Sequence, residues 1–131
     1  MHGHIIDLEQ EAKTNQDFRR VVYTAHHSQL VLMSLKPGEE IGMETHPDND
    51  QFLRLDAGEG KVILDGAEYP IKNGYGIVIP AGTEHNIINS GTEPMKLYTL
   101  YSPPHHEDGI VRQTKDQAET VPEEFNGETS E

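Results

Sequence analysis

Four side chains that can bind a metal ion lie next to two turns in this 131-residue sequence. Glu44 and His46 are two positions apart, so their side chains lie on the same face of an extended segment. Gln51 opens the next apolar stretch, and His85 follows a second turn at 80–82. One carboxylate, two imidazoles and one amide oxygen form a mixed nitrogen and oxygen donor set. Such a set suits a divalent Mn, Fe, Ni, Co or Zn ion.

The spacing of these residues resembles the two sequence motifs of the cupin superfamily. The first cupin motif runs Gly, five residues, His-x-His, three or four residues, Glu, six residues, Gly. The second runs Gly, five residues, Pro-x-Gly, two residues, His, three residues, Asn. The matching positions here are Gly38, Glu44, His46, Gln51 and Gly58, then Gly74, Pro80, Gly82, His85 and Asn89. This resemblance implies a small β-barrel of the jelly-roll type, one metal ion held by Glu44, His46, Gln51 and His85, and a homodimer.

Two of the expected ligands differ from the cupin pattern. Glu44 stands where the motif has its first histidine, and Gln51 stands where it has glutamate, so the single negative charge is kept but moved. Two histidines and one carboxylate resemble the facial triad of non-haem iron sites. A set of Glu, Gln and two His also resembles the zinc site of phosphomannose isomerases, and small cupins of this kind are often labelled mannose-6-phosphate-isomerase-like. Gln51 is either a weak fourth ligand or a hydrogen-bonding neighbour of the ligands.

The ligand segments carry no basic residue on their predicted inner face. If Gln51 points inward, strand alternation places Leu53 and Leu55 inward and Arg54 outward. We therefore expect a neutral small molecule, or a keto or enol compound that chelates the metal. Three functions remain open: a metal-dependent isomerase or lyase acting on a carbohydrate-like or keto compound, an Fe or Mn dioxygenase, and a non-catalytic small-molecule sensor.

His106 and Tyr98 are the candidate catalytic residues. His106 could shuttle a proton near neutral pH, although the pairs His26-His27 and His105-His106 are more typical of surface loops. Tyr98 could point into the barrel toward a substrate, or it could face an interface while its strand neighbours lie inside. His2 and His4 are expected to be exposed. Asn89 is expected to bind backbone groups.

Short apolar or alternating runs between residues 21 and 101 predict the elements that position these residues. Gly, Pro, Asn and Asp separate the runs, a pattern typical of an all-β barrel or sandwich. Asp65-Gly66 predicts a two-residue hairpin. We expect an N-terminal segment at 1–20, the barrel at 21–106 and an acidic C-terminal tail at 107–131. The tail carries eight carboxylates and two basic residues, so it is expected to hold at most a short helix and otherwise to lie on the surface or in solvent.

The composition excludes several classes of function. There is no cysteine, which excludes thiolate metal sites and thiol nucleophiles. A net charge of −13 makes nucleic acid an unsuitable partner. No apolar run is long enough to cross a membrane, and the N-terminus becomes acidic where a signal peptide would be apolar. We expect a cytoplasmic protein.

Overall fold

A computed structural model describes residues 3–131 as two facing antiparallel sheets. The larger sheet has the strand order β6-β3-β8-β2-β1-β9, and the smaller has the order β5-β4-β7. The strands are β1 Arg19–Thr24, β2 Gln29–Leu35, β3 Asp50–Ala57, β4 Glu59–Leu64, β5 Ala67–Lys72, β6 Gly76–Ile79, β7 His85–Ile88, β8 Met95–Ser102 and β9 Val111–Arg112. The predicted all-β jelly roll is confirmed.

Alternating side chains explain how the two sheets enclose their core. In β3, Gln51, Leu53 and Leu55 are buried, while Phe52 and Arg54 are partly exposed, as alternation predicts. Leu53 and Leu55 belong to an apolar cluster contributed by both sheets. The predicted hairpin joins β4 to β5. Asp65 and Gly66 have φ of 50° and 82°, the left-handed conformation that a tight two-residue turn of this kind requires.

Two short helices lie outside the sheets. α1 (Leu8–Thr14) is capped by Asp7, whose carboxylate accepts a hydrogen bond from the Gln10 N–H, and the helix buries Ala12. This helix is not among the elements expected from the sequence. α2 (Lys115–Thr120) is the short helix expected in the tail, and Thr114 caps it. Neither helix within the described residues is long and apolar enough to cross a membrane.

The C-terminal segment is bound to the barrel rather than loose in solvent. β9 pairs with β1 at the edge of the larger sheet, so that sheet includes residues on both sides of the 21–106 range. Farther along, the Phe125 N–H donates to the His105 carbonyl at 3.0 Å, and the Ser130 N–H donates to the Thr24 carbonyl at 2.8 Å. These backbone hydrogen bonds hold an acidic segment against the fold despite its charge.

Asn89 connects three backbone segments at the end of β7. Its side chain is fully buried, and its amide donates to the carbonyls of Leu35 and Glu93, each at 2.9 Å. Its side-chain oxygen accepts a hydrogen bond from the Gly91 N–H at 3.0 Å. The expected backbone-binding role of Asn89 is therefore confirmed.

Replacing Asn89 with Ala should lower the free energy of unfolding by about 2–3 kcal/mol, because buried carbonyls lose their donors. Urea denaturation followed by circular dichroism measures this difference. Asn73 is exposed in a turn, and Asn73→Ala should change stability by less than about 0.5 kcal/mol. Equal stability of the two variants would contradict the assigned role of Asn89.

Candidate metal centre

Backbone hydrogen bonds bring the two ligand-bearing segments together. Glu44 and His85 form an isolated antiparallel bridge in which each N–H donates to the other residue's carbonyl at 2.9 Å. The Gly82 N–H donates to the His46 carbonyl at 2.9 Å. Gly82 has a φ of 85°, a left-handed conformation that favours glycine, and this conformation forms the turn before His85. Segments far apart in the sequence therefore meet at one point.

Three of the predicted ligands form a compact cluster. Glu44 Oε1 lies 3.4 Å from His46 Nε2 and 4.0 Å from His85 Nε2. The donor atoms of all three residues lie within 4.8 Å of one another. Donors held about 2.1 Å from one ion are separated by about 3–3.5 Å in tetrahedral or octahedral geometry. The cluster is therefore close to the size that one ion requires.

Unpaired buried atoms show that the site fits a cation. His46 Nε2, His85 Nε2 and Gln51 Oε1 are buried and have no hydrogen-bond partner among residues 3–131. His85 Nδ1 lies 2.8 Å from the Thr83 carbonyl, which favours a proton on Nδ1 and leaves Nε2 as a free acceptor. Leaving acceptors buried without donors is costly, and a divalent ion would satisfy them.

Gln51 is oriented by a neighbour on β8. Its amide nitrogen donates to Thr99 Oγ1 at 3.0 Å, and this hydrogen bond leaves Oε1 as the unpaired atom. Both residues are buried on the inner face. Gln51 is thus a buried neutral oxygen donor on the inner face, and its strand partner Tyr101 contacts the His46 ring.

Glu44 supplies the negative charge of the cluster, and its side chain is 34% exposed. Burial opposes its ionisation. Contact with His46, the charge of the His85 ring when it is protonated, and the charge of Arg19 outweigh this effect, so the pKa of Glu44 falls below its ordinary value. Glu44 is therefore an ionised ligand at the rim of the site.

A chain of buried polar groups leads from the site to the C-terminal segment. The Tyr101 ring meets the His46 ring edge-on at 5.7 Å, and the Tyr101 hydroxyl lies 3.3 Å from His106 Nε2. His106 Nδ1 lies 2.7 Å from Glu123 Oε1, and the Glu123 side chain is only 5% exposed. Gln29 holds the backbone of the His105-His106 pair with three hydrogen bonds.

Burial changes the ionisation of this chain. It lowers the pKa of His106 below its ordinary value, although Glu123 opposes the shift. Burial would raise the pKa of Glu123, but the hydrogen bond from His106, and the charge of that ring when it is protonated, reverse this effect and lower the pKa. Burial also raises the pKa of Tyr101 well above its ordinary value. At neutral pH the chain therefore consists of a neutral phenol, a neutral imidazole and a carboxylate.

The histidine pairs differ in their placement. His26 and His27 are exposed in the loop between β1 and β2, as expected. The surface-loop expectation is wrong for the other pair, because His106 is 5% exposed and the His105 ring lies 4.3 Å from the His46 ring. The C-terminal segment packs against this pair, through Glu123 on His106 and Phe125 on His105. His4 is exposed, whereas His2 lies outside the described residues.

Tyr98 does not face the site. Alternation along β8 buries Leu97, Thr99 and Tyr101 inside, so Tyr98 lies on the outer face, where its ring is 6.3 Å from that of Phe52. A catalytic role inside the barrel is therefore wrong for Tyr98, and Tyr101 occupies the inner position.

Sequence reasoning missed Glu123 and Arg19, and it left open whether Tyr98 or Tyr101 lies on the inner face of β8. Alternation relative to Val21 would have placed Arg19 on the inner face of β1. No local pattern marks Glu123, because its position depends on how the C-terminal segment packs.

The stability of the metal-free protein should fall as the pH decreases from about 6.5 to about 4. Burial lowers the pKa of His105 from 6.5 to about 4. In this window the unfolded chain binds a proton that the folded chain does not, so acid favours unfolding. Urea denaturation at several pH values measures the slope of the free energy of unfolding against pH. His105→Asn should reduce the slope and His26→Asn should not; an unchanged slope in His105→Asn would contradict the prediction.

Comparison with known proteins places this site in a family. The Cupin_2 model, described as a cupin domain, matches residues 31–101. YrkC of Bacillus subtilis is 43% identical over 87% of this chain, and L612 of Acanthamoeba polyphaga mimivirus is 46% identical over 82%. The aligned part of this chain spans 64% of the length of YrkC and 70% of that of L612.

A solved structure gives the same result. The crystal structure of BH2720 from Bacillus halodurans superposes with a TM-score of 0.90 and 41% identity, covering 92% of this chain and 96% of that one. The family model covers more than half of the chain, and the motif residues meet at a single candidate metal centre. The chain belongs to the cupin family.

Proposed function

We propose that this chain is an enzyme that depends on one divalent transition-metal ion and isomerises, or eliminates a group from, a small keto or carbohydrate-like molecule. The observation that carries this proposal is the set of three buried, unpaired donor atoms, on His46, His85 and Gln51, beside the ionised Glu44. Nitrogen and oxygen donors favour Mn, Fe, Co, Ni or Zn. Such an ion, when bound, supplies a Lewis acid that polarises a substrate oxygen.

The polar chain behind His46 supports an enzyme over a sensor. Moving a double bond or eliminating a group next to a carbonyl requires a proton to leave one atom and reach another. Glu123 favours a proton on His106 Nδ1, so Nε2 accepts the hydrogen bond of the Tyr101 hydroxyl. In the proposed reaction, His106 Nε2 takes and returns a proton through Tyr101. A protein that only binds a ligand does not need such a buried chain.

Dioxygenase activity is the second candidate. It is favoured by the cluster of two histidines and one carboxylate, which is the ligand set of non-haem iron oxygenases. The position of Gln51 favours the isomerase or lyase reaction, because a fourth protein donor leaves fewer coordination positions for both oxygen and substrate. Oxygen consumption by the iron-loaded protein with keto and enol compounds separates the two candidates.

Metal analysis tests the site itself. Tag-free wild-type protein, reconstituted with each candidate metal and freed of excess, should hold about one equivalent of ion by mass spectrometry. His46→Ala and His85→Ala should each lower the bound metal at least about tenfold. His26→Ala removes an exposed histidine and should retain the metal. Equal metal in all four proteins, or none in folded wild type, would refute the proposed centre.

Proton exchange tests the polar chain. Metal-loaded protein in D2O should exchange the hydrogen next to the carbonyl of some members of a panel of keto compounds and ketoses, as followed by proton NMR. His106→Asn should slow this exchange about 10²–10⁴-fold with the metal retained. Glu123→Gln should slow it less and change its pH profile, because Glu123 acts through His106.

The neighbouring Glu124 provides a matched control, because it is exposed. Glu124→Gln should leave the exchange rate and its pH profile unchanged. Wild-type exchange rates in His106→Asn would refute the proton-transfer role.

A further inference from the structure

Arg19 is a cation on the inner face of the barrel. It lies two residues before Val21 on β1, and Val21 belongs to the core. The Arg19 Nε is buried without a hydrogen-bond partner, and Arg19 forms no salt bridge within residues 3–131. In a chain with 23 acidic and 10 basic residues, an inward arginine without a carboxylate partner is unexpected on electrostatic grounds.

The Arg19 charge acts on the candidate metal centre and on the polar chain. It contributes to lowering the pKa values of Glu44, His106 and Glu123. The sheet register places Arg19 opposite Met33, which pairs with Leu97, and both of these residues belong to the apolar core. Leu97 lies four residues before Tyr101, the strand partner of Gln51. Arg19 and the proposed ligands therefore face the same interior.

Neither nearby carboxylate serves as the specific partner of Arg19. Glu44 Oε1 lies 3.4 Å from His46, and Glu123 Oε1 lies 2.7 Å from His106. Each carboxylate is thus already in contact with a histidine, and neither lies within salt-bridge distance of Arg19 among the pairs in the described chain.

A second arginine lies directly opposite Arg19. Arg112 on β9 pairs with Arg19 across the sheet, and its guanidinium donates to the carbonyls of Val121 and Val111. Like charges directly opposite each other destabilise a sheet. The carbonyls bound by Arg112 do not neutralise the positive charge of the two guanidinium groups. An anion bound at Arg19 would neutralise part of it.

We propose that Arg19 binds an anionic group, a carboxylate or a phosphate, on the same small molecule that reaches the metal centre. This inference rests on the proposed function and narrows its substrate class. The inferred substrate is anionic instead of the neutral one expected from the sequence, because β1 supplies the basic side chain that the ligand segments lack. A guanidinium forms two parallel hydrogen bonds with either oxyanion, and partial burial strengthens both.

Paired probes test Arg19 by isothermal titration calorimetry on the full chain, with and without metal. 2-Oxoglutarate and 2-oxopentanoate have the same carbon chain but differ in the second carboxylate. Mannose 6-phosphate and mannose differ in the phosphate. Wild-type protein should bind the compound with the additional anionic group, 2-oxoglutarate or mannose 6-phosphate, at least about tenfold more tightly than its partner compound in one of the two pairs. The pair that shows the difference identifies the anion as carboxylate or phosphate.

The adjacent arginines provide a matched set of variants. Arg19→Gln should abolish the tenfold preference, with metal content and circular dichroism unchanged. Arg20 is exposed on the outer face, and Arg20→Gln should retain the preference. Arg19→Lys keeps the positive charge but loses the planar guanidinium, so it should retain only part of the preference. This variant replaces Arg19→Gln in the test if Arg19→Gln does not fold.

The outcomes separate this inference from the proposed function. An Arg19-dependent preference in metal-free protein, combined with failure to bind any metal, would support the anion site and refute the metal enzyme. Normal metal binding with no anion preference, or with a preference that persists in Arg19→Gln, would overturn the role of Arg19 alone. Loss of folding in both Arg19 variants would assign Arg19 to stability and also overturn it.

Discussion

The reciprocal backbone hydrogen bonds between Glu44 and His85 are the constraint on which the rest of the site depends. The segment that carries Glu44 and His46 has no long strand of its own, and it is held in place by its bridge to the start of β7. Because His85 begins that strand, the same two hydrogen bonds fix both sides of the cluster. The turn at Gly82 adds a third connection, through the His46 carbonyl.

This arrangement is stable only if the rest of the fold offsets its cost. Three buried metal-ligand atoms of the site have no hydrogen-bond partner within residues 3–131, and each such atom costs about 1–3 kcal/mol. At the same end of the molecule, the hydrogen bonds of Gln29 to the His106 backbone and those of the C-terminal segment stabilise the fold. Farther away, Asn89 and the apolar core rigidify the sheets that carry the ligands. A rigid scaffold prevents the site from collapsing to satisfy its own polar atoms, which keeps the donors available for an ion.

The sequence was informative wherever local rules determine the structure. Alternation from an inward Gln51 placed Leu53 and Leu55 inward, and the Asp65-Gly66 pair formed its hairpin. The resemblance to the cupin motifs implied that Glu44, His46 and His85 meet, and they do. It was uninformative where distant packing decides the outcome. The C-terminal segment reads as solvated because of its charge, yet one of its carboxylates is buried against His106. No periodicity in residues 107–131 distinguishes that glutamate from its exposed neighbours.

Under the proposed assignments, the site and the chain as a whole carry opposite charge. A divalent ion held by Glu44 and three neutral ligands would retain a net positive charge, and Arg19 adds a second positive charge on the inner face. The chain as a whole carries −13. An anionic molecule would therefore be repelled at long range and attracted at short range. Salt screens long-range repulsion more effectively than contacts in a partly buried site, so rising ionic strength would speed the association of such a molecule while changing its dissociation less. Under the proposed assignment, selectivity for the anion comes from the interior and opposes the field of the surface.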